Sequence, residues 1–191
     1  METYMNIKRI WLIIPSFLLP YLTLFLLALI FLSPKYAPFE FIAEKVFCSS
    51  IIIMFVALLL FIILSATLSV VCFVMCICKK WDALSLAKTA MIIKLLQIPA
   101  YILIFALGAA LALTIFTMIF SFVLAIIDYI TLMLSGLITV SSVINASREG
   151  IIEFKKSFWV VILQFIFCAD IVAAIIFYVL MKKKLPALRS Q

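Results

Sequence analysis

The sequence predicts an all-α membrane protein: a polytopic transmembrane helix bundle of about five membrane helices with short interfacial helices. Three observations predict it. Of the 191 residues, 69% are apolar and only 12% charged, against roughly 25% charged in a globular protein. Mean hydropathy is +1.43, which leaves too little polar surface to clothe a soluble globule. The apolar residues also fall in runs, and about 20 of them in a helix cross roughly 30 Å of hydrocarbon. Soluble enzymes, nucleic-acid-binding domains and disordered chains are excluded as classes.

The whole chain, 1–191, reads as one integral membrane domain. Span one is residues 10–32. It follows Lys8-Arg9 and is 23 residues long with no A-x-A site after it, so it reads as an uncleaved span rather than a signal peptide. Pro15 and Pro20 predict a kink. In the loop that follows, Phe39, Ile42 and Val46 share one face and Glu40 and Glu44 another, the pattern of a short interfacial helix.

Span two lies within residues 47–78. As helix that stretch is about 48 Å long, so it tilts or projects from the bilayer. Lys79-Lys80 end it. Residues 81–97 then read as a basic amphipathic segment on the cytoplasmic surface, with Asp82 as its N-cap.

Residues 95–147 carry one charge, Asp128. A single helix of that length would reach about 80 Å, so the chain folds back. Ser121 and Asp128-Tyr129 bracket the expected turn, placing span three at 98–120 and span four at 123–145. Ala106, Ala110, Thr114, Thr117 and Ser121 form one small-residue stripe. Ser135, Thr139, Ser142 and Ala146 form another. Such stripes let helices approach closely in lipid; a polar path lined by the hydroxyls is the alternative. Span five is 158–181, closed by Lys182, Lys183 and Lys184.

Net charge is +7, from 15 Lys+Arg and 8 Asp+Glu. The cations flank the apolar runs, which points to a lipid bilayer and not to nucleic acid. Lys79, Lys80, Lys88 and Lys94 are expected at anionic lipid headgroups on the inner face. With a cytoplasmic N-terminus and five crossings, nine cations fall inside and six outside. If one segment fails to cross, the count becomes thirteen to two. The tail therefore conflicts with five crossings.

Histidine is absent, which removes His-based metal sites, nucleophile pairs and proton relays. No catalytic residue, metal site or cofactor is assigned. The odd set of five cysteines implies no disulfide framework. Cys76 and Cys78, beside Lys79-Lys80, read as small apolar side chains, with acylation or metal binding as the alternative.

Asp170 stands out because it falls twelve residues into span five. A carboxylate there costs about 2.5–3.5 kcal/mol on insertion scales. No cation is expected at mid-depth in another span, so three outcomes stay open: a protonated, hydrogen-bonded acid, a wet cavity, or a cation from another chain. Gln164 adds a second polar group to the same span. Asp128, nearer the hairpin turn, reads as a cap for span four or as part of a polar site. Asp128-Tyr129 and Ala169-Asp170 do not reproduce the Tyr-Asp and Gly-x-Gly-Asp pair of intramembrane aspartyl proteases.

The stretch Ala87-Lys88-Thr89-Ala90-Met91-Ile92-Ile93-Lys94-Leu95-Leu96-Gln97-Ile98-Pro99-Ala100-Tyr101, with Leu134-Ser135-Gly136-Leu137-Ile138, resembles segments of an uncharacterised family of small multi-pass membrane proteins from Firmicutes. The resemblance implies a bacterial plasma-membrane location and no particular activity.

Two functions follow as expectations. The first is a non-enzymatic accessory or assembly subunit acting through helix contacts, with a membrane-protein partner or a second copy of itself. The second is a small ion or solute transporter or channel that uses Asp170.

Overall fold

The computed structural model describes residues 11–32, 34–113, 115 and 117–189, with backbone alone from 185 onward. The fold is all-helical. Among the described residues the helices are α1 (Ile14–Leu32), α2 (Ala37–Phe47), α3 (Ile51–Cys78), α4 (Ala83–Ala112), α5 (Met118–Arg148), α6 (Phe154–Leu163) and α7 (Ala169–Arg189). Four of them, α1, α3, α4 and α5, are long and apolar enough to cross a membrane.

The buried clusters give the direction of each helix. Ile13, just before α1, packs with Cys72 and Cys76 at the end of α3 and with Trp81 and Leu86 at the start of α4. Leu26 and Leu29 pack with Ala43 of α2, Met54 and Leu58 of α3 and Ile127 of α5. So α1 runs away from the α3–α4 turn, α2 lies at the far end, and α3 returns. The α2 helix is the expected interfacial one, 11 residues long with Glu40 in its first turn and Lys45 in its last.

The expected surface segment 81–97 and span three are instead one unbroken helix. Asp82 does cap it, accepting from Ser85 N–H at 2.7 Å. Pro99 lies inside α4, where it strips the Leu95 carbonyl of its helical donor. One residue on, the Leu96 carbonyl accepts from the Tyr21 hydroxyl of α1. The reverse bond meets a freed carbonyl directly. Pro20 inside α1 frees the Ser16 carbonyl, and Gln97 Nε2 donates to it at 3.2 Å. Neighbouring helices re-satisfy such groups wherever prolines sit in lipid-embedded helices.

The chain folds back within 95–147, but the fold-back comes earlier than expected, between the end of α4 at Ala112 and the start of α5 at Met118. Ser121 and Asp128 are already helical. Ser121 Oγ donates to the Gly108 carbonyl at 2.8 Å, and Ser142 Oγ donates to the Ala83 carbonyl at 2.7 Å. These bonds set an antiparallel register along which Tyr101 is level with Asp128 and Lys94 with Ser135.

One small-residue stripe packs as expected: Ser135, Thr139, Ser142 and Ala146 are all buried. The other does not. Ala106 and Ala110 are exposed, on a face of α4 turned away from the packed interior. Thr117 belongs to the turn, where its hydroxyl donates to the Leu111 carbonyl at 2.6 Å. Thr114 lies outside the described residues. Asn145 is buried, and its amide donates to the Cys76 and Trp81 carbonyls at 3.0 and 2.9 Å. It locks the α3–α4 turn.

The expected fifth crossing is two helices. α6 is only 10 residues long, about 15 Å. Residues 164–168 then turn sharply, with Cys168 at φ 66°, a left-handed conformation uncommon outside glycine. α7 runs back. Val160 of α6 and Ala173, Phe177 and Met181 of α7 share one buried cluster with Ala83, Ala87, Val143 and Ala146. That cluster lies at the α3–α4 turn end of the bundle. The register that joins Lys94 to Asp170 brings Ala87 level with Phe177 and Ala83 level with Met181.

The last apolar run is therefore a helical hairpin that enters and leaves the bundle at one end. That end carries Lys79, Lys80, Lys88, Arg148, Lys155, Lys156 and the cations Lys182, Lys183 and Lys184. Among the described residues, only Lys35 and Lys45 lie at the other end. The hairpin removes the conflict between the basic tail and a fifth crossing.

Candidate functional site

The hairpin tip meets α4 and α5 deep in the bundle. Lys94 is eleven residues into α4, about 16 Å from its start. Its Nζ lies 2.5 Å from Asp170 Oδ2, and both side chains are 1% exposed. The expectation that Lys94 reaches lipid headgroups is wrong. Ala90 and Ile93 beside it are buried too, so this face of α4 points into the bundle. The expectation that no cation within the chain reaches Asp170 falls with it. Lys79, Lys80 and Lys88 are exposed at the basic end, where headgroup contact is open to them.

Asp170 is the second residue of α7, where the helix dipole favours a negative charge. Gln164 closes α6, and its Nε2 donates across the turn to the Asp170 carbonyl at 3.4 Å. Gly136 of α5 makes room for this. A Cβ there would stand 3.4 Å from Gln164 Cβ, so anything larger than alanine would displace the tip. Tyr101 donates to Gln97 Oε1 at 3.2 Å and stacks obliquely on Phe167 of the tip, with centroids 5.6 Å apart. It stands within electrostatic reach of both Asp128 and Asp170.

Gln164, Asp170 and Asp128 are thus brought to one neighbourhood, and Lys94, Gln97 and Tyr101 complete it. Sequence reading missed these last three. The available signal was the span-long apolar run from 83 to 112, which makes Lys94 and Gln97 interior. Three acceptor oxygens here are buried and receive no hydrogen bond: Gln164 Oε1, Asp170 Oδ1 and Asp128 Oδ1. Acceptors without donors at this depth are costly, and they suit a proton or a cation.

Asp128 is 6% exposed and lies ten residues into α5. A capping role for it is excluded, since α5 begins at Met118. It lines a cavity of about 420 Å³ between α4 and α5, together with Phe105, Gly108, Ala109, Tyr129 and Phe167.

The cysteines divide. Cys72 and Cys76 are buried, with sulfurs 3.9 Å apart on one face of α3, so acylation of Cys76 is sterically closed. Cys78 is exposed. No family model, curated protein or solved structure matches this chain.

Proposed function

We propose that this protein is a small transporter of the plasma membrane, N-terminus cytoplasmic, in which the hairpin tip is the moving part and the Lys94–Asp170 pair its latch. The bacterial setting follows from the family resemblance, and the orientation from the cations gathered at one end. A single observation carries the reading: an ion pair sealed at mid-depth between a spanning helix and the tip of a hairpin that goes only half way. Broken helices with polar tips at the midplane are how many transporters build ion and substrate sites. A proton on Asp170, or a cation competing with Lys94, would loosen the latch.

The test is flux. Purified protein in liposomes should carry protons or small ions under an imposed gradient, and Asp170→Asn and Lys94→Met should each abolish it. Wild-type liposomes no leakier than empty ones would defeat the proposal.

A second reading, an accessory subunit, is supported by Ala106 and Ala110, which face outward on α4, as a close helix contact would require. An unpaired Asp170 no longer supports it. Ala106→Leu disrupting a complex recovered in mild detergent, with flux absent, would favour it.

A further inference from the structure

We propose that the α4–α5 groove is a binding site for lipophilic monovalent organic cations, with Asp128 as the counter-ion. This goes beyond the transport proposal, because it requires binding and not flux.

A carboxylate at this depth needs either a proton or a cation beside it. Lys94 is the one buried basic side chain among the described residues, and it is committed to Asp170. Asp128 therefore has no cation of its own, and its Oδ1 is buried without a hydrogen-bond donor.

The groove supplies the rest of a cation site. Its volume of about 420 Å³ falls within the roughly 300–1,000 Å³ of small-molecule pockets. Phe105, Tyr129 and Phe167 stand exposed around it, and aromatic faces attract organic cations. Gly108 and Ala109 keep the α4 wall low. The groove is open rather than enclosed, and its lining is mostly apolar. A greasy cation satisfies both the walls and the carboxylate; a neutral acyl chain satisfies only the walls, and an anion is repelled.

Equilibrium dialysis of the full-length protein in detergent tests this, with tetraphenylphosphonium as probe and tetraphenylborate as its anionic counterpart of the same shape. Saturable phosphonium binding is expected, weakened about tenfold or more by Asp128→Asn and by the groove-filling Ala109→Phe. Asp128→Glu should retain it. The borate should partition without saturating. Unchanged affinity in a folded Asp128→Asn or in Ala109→Phe, saturable borate binding of equal strength, or no saturable phosphonium binding would each overturn the proposal. If Asp128→Asn does not fold, Ala109→Phe decides. Binding without flux would uphold this site while removing the transport proposal.

Discussion

Removing Lys94 should cost far more than removing any surface lysine. The pair is 2.5 Å apart, and each side chain is 1% exposed. Lys94→Met leaves Asp170 buried without its cation, and breaking one side of a buried pair costs about 3–5 kcal/mol. Insertion scales give a similar figure, about 2.5–3.5 kcal/mol, for a lone carboxylate at bilayer-centre depth. The two ranges meet near 3 kcal/mol, roughly a 150-fold shift toward the unfolded state. The double variant Lys94→Met/Asp170→Leu removes both charges, and such replacements are neutral or gain about 1–4 kcal/mol. The singles and the double should therefore be strongly non-additive, by at least about 2 kcal/mol. Equilibrium unfolding in mixed micelles, followed by tryptophan fluorescence, measures all four corners of the cycle. Single variants costing under about 1 kcal/mol each, with an additive double, would mean that the pair is wet, and the hairpin tip would lose its anchor in the argument.

Three further outcomes follow from the same geometry. In a cysteine-free background, Lys35→Cys and Lys183→Cys should react with a membrane-impermeant maleimide from opposite sides; labelling from one side would restore a fifth crossing. Gly136→Ala should be tolerated, since its Cβ meets Gln164 at an ordinary 3.4 Å. Gly136→Leu should displace the tip and cost about 1–3 kcal/mol in the same unfolding assay. Glu149, just beyond α5, is raised above the ordinary carboxylate range by partial burial of its carboxyl, with its bond from Ala83 N–H opposing and Asp82 adding. The folded state then holds the Glu149 proton more tightly than the unfolded one. Its contribution is full below the ordinary carboxylate value and is lost as pH rises through the folded value. Glu149→Gln should flatten that fall, read as unfolding midpoints over about pH 4 to 8; an unchanged profile would assign the pH dependence to other groups.

Run length made most of the architecture legible. Residues 95–147 are too long for one crossing, and they fold back. Asp82 and the Phe39–Ile42–Val46 face announced the start of α4 and the whole of α2. The position of the fold-back was not legible, because no glycine or proline lies between Gly108 and Gly136. Residues 113–117 are as apolar as their neighbours. In lipid, unlike water, the outward face of a helix is also apolar, so periodicity stops telling buried from exposed. Spacing alone therefore did not separate Ala106 and Ala110, which face outward, from Ser135 and Thr139, which do not. The broken last helix was half legible. Its apolar length argued for a crossing, whereas the basic tail argued against one, and the tail was the better witness.

Taken alone, Lys94 goes to the headgroups and Asp170 keeps its depth but finds no cation within the chain. A lysine in an apolar run looks like the end of a span, and an aspartate in another looks like a charge in search of a partner. Taken one at a time, both insertions are costly; taken together, they form a neutral pair. The half-length hairpin needs that pair. A tip that stops at mid-depth brings a turn, Gln164 and Asp170 to a place without water, and only an internal partner can hold them there. The lysine in α4 and the aspartate after the break are thus one feature written in two places. A charged residue that spoils one apolar run should be tested against opposite charges in every other run before it is assigned to the surface.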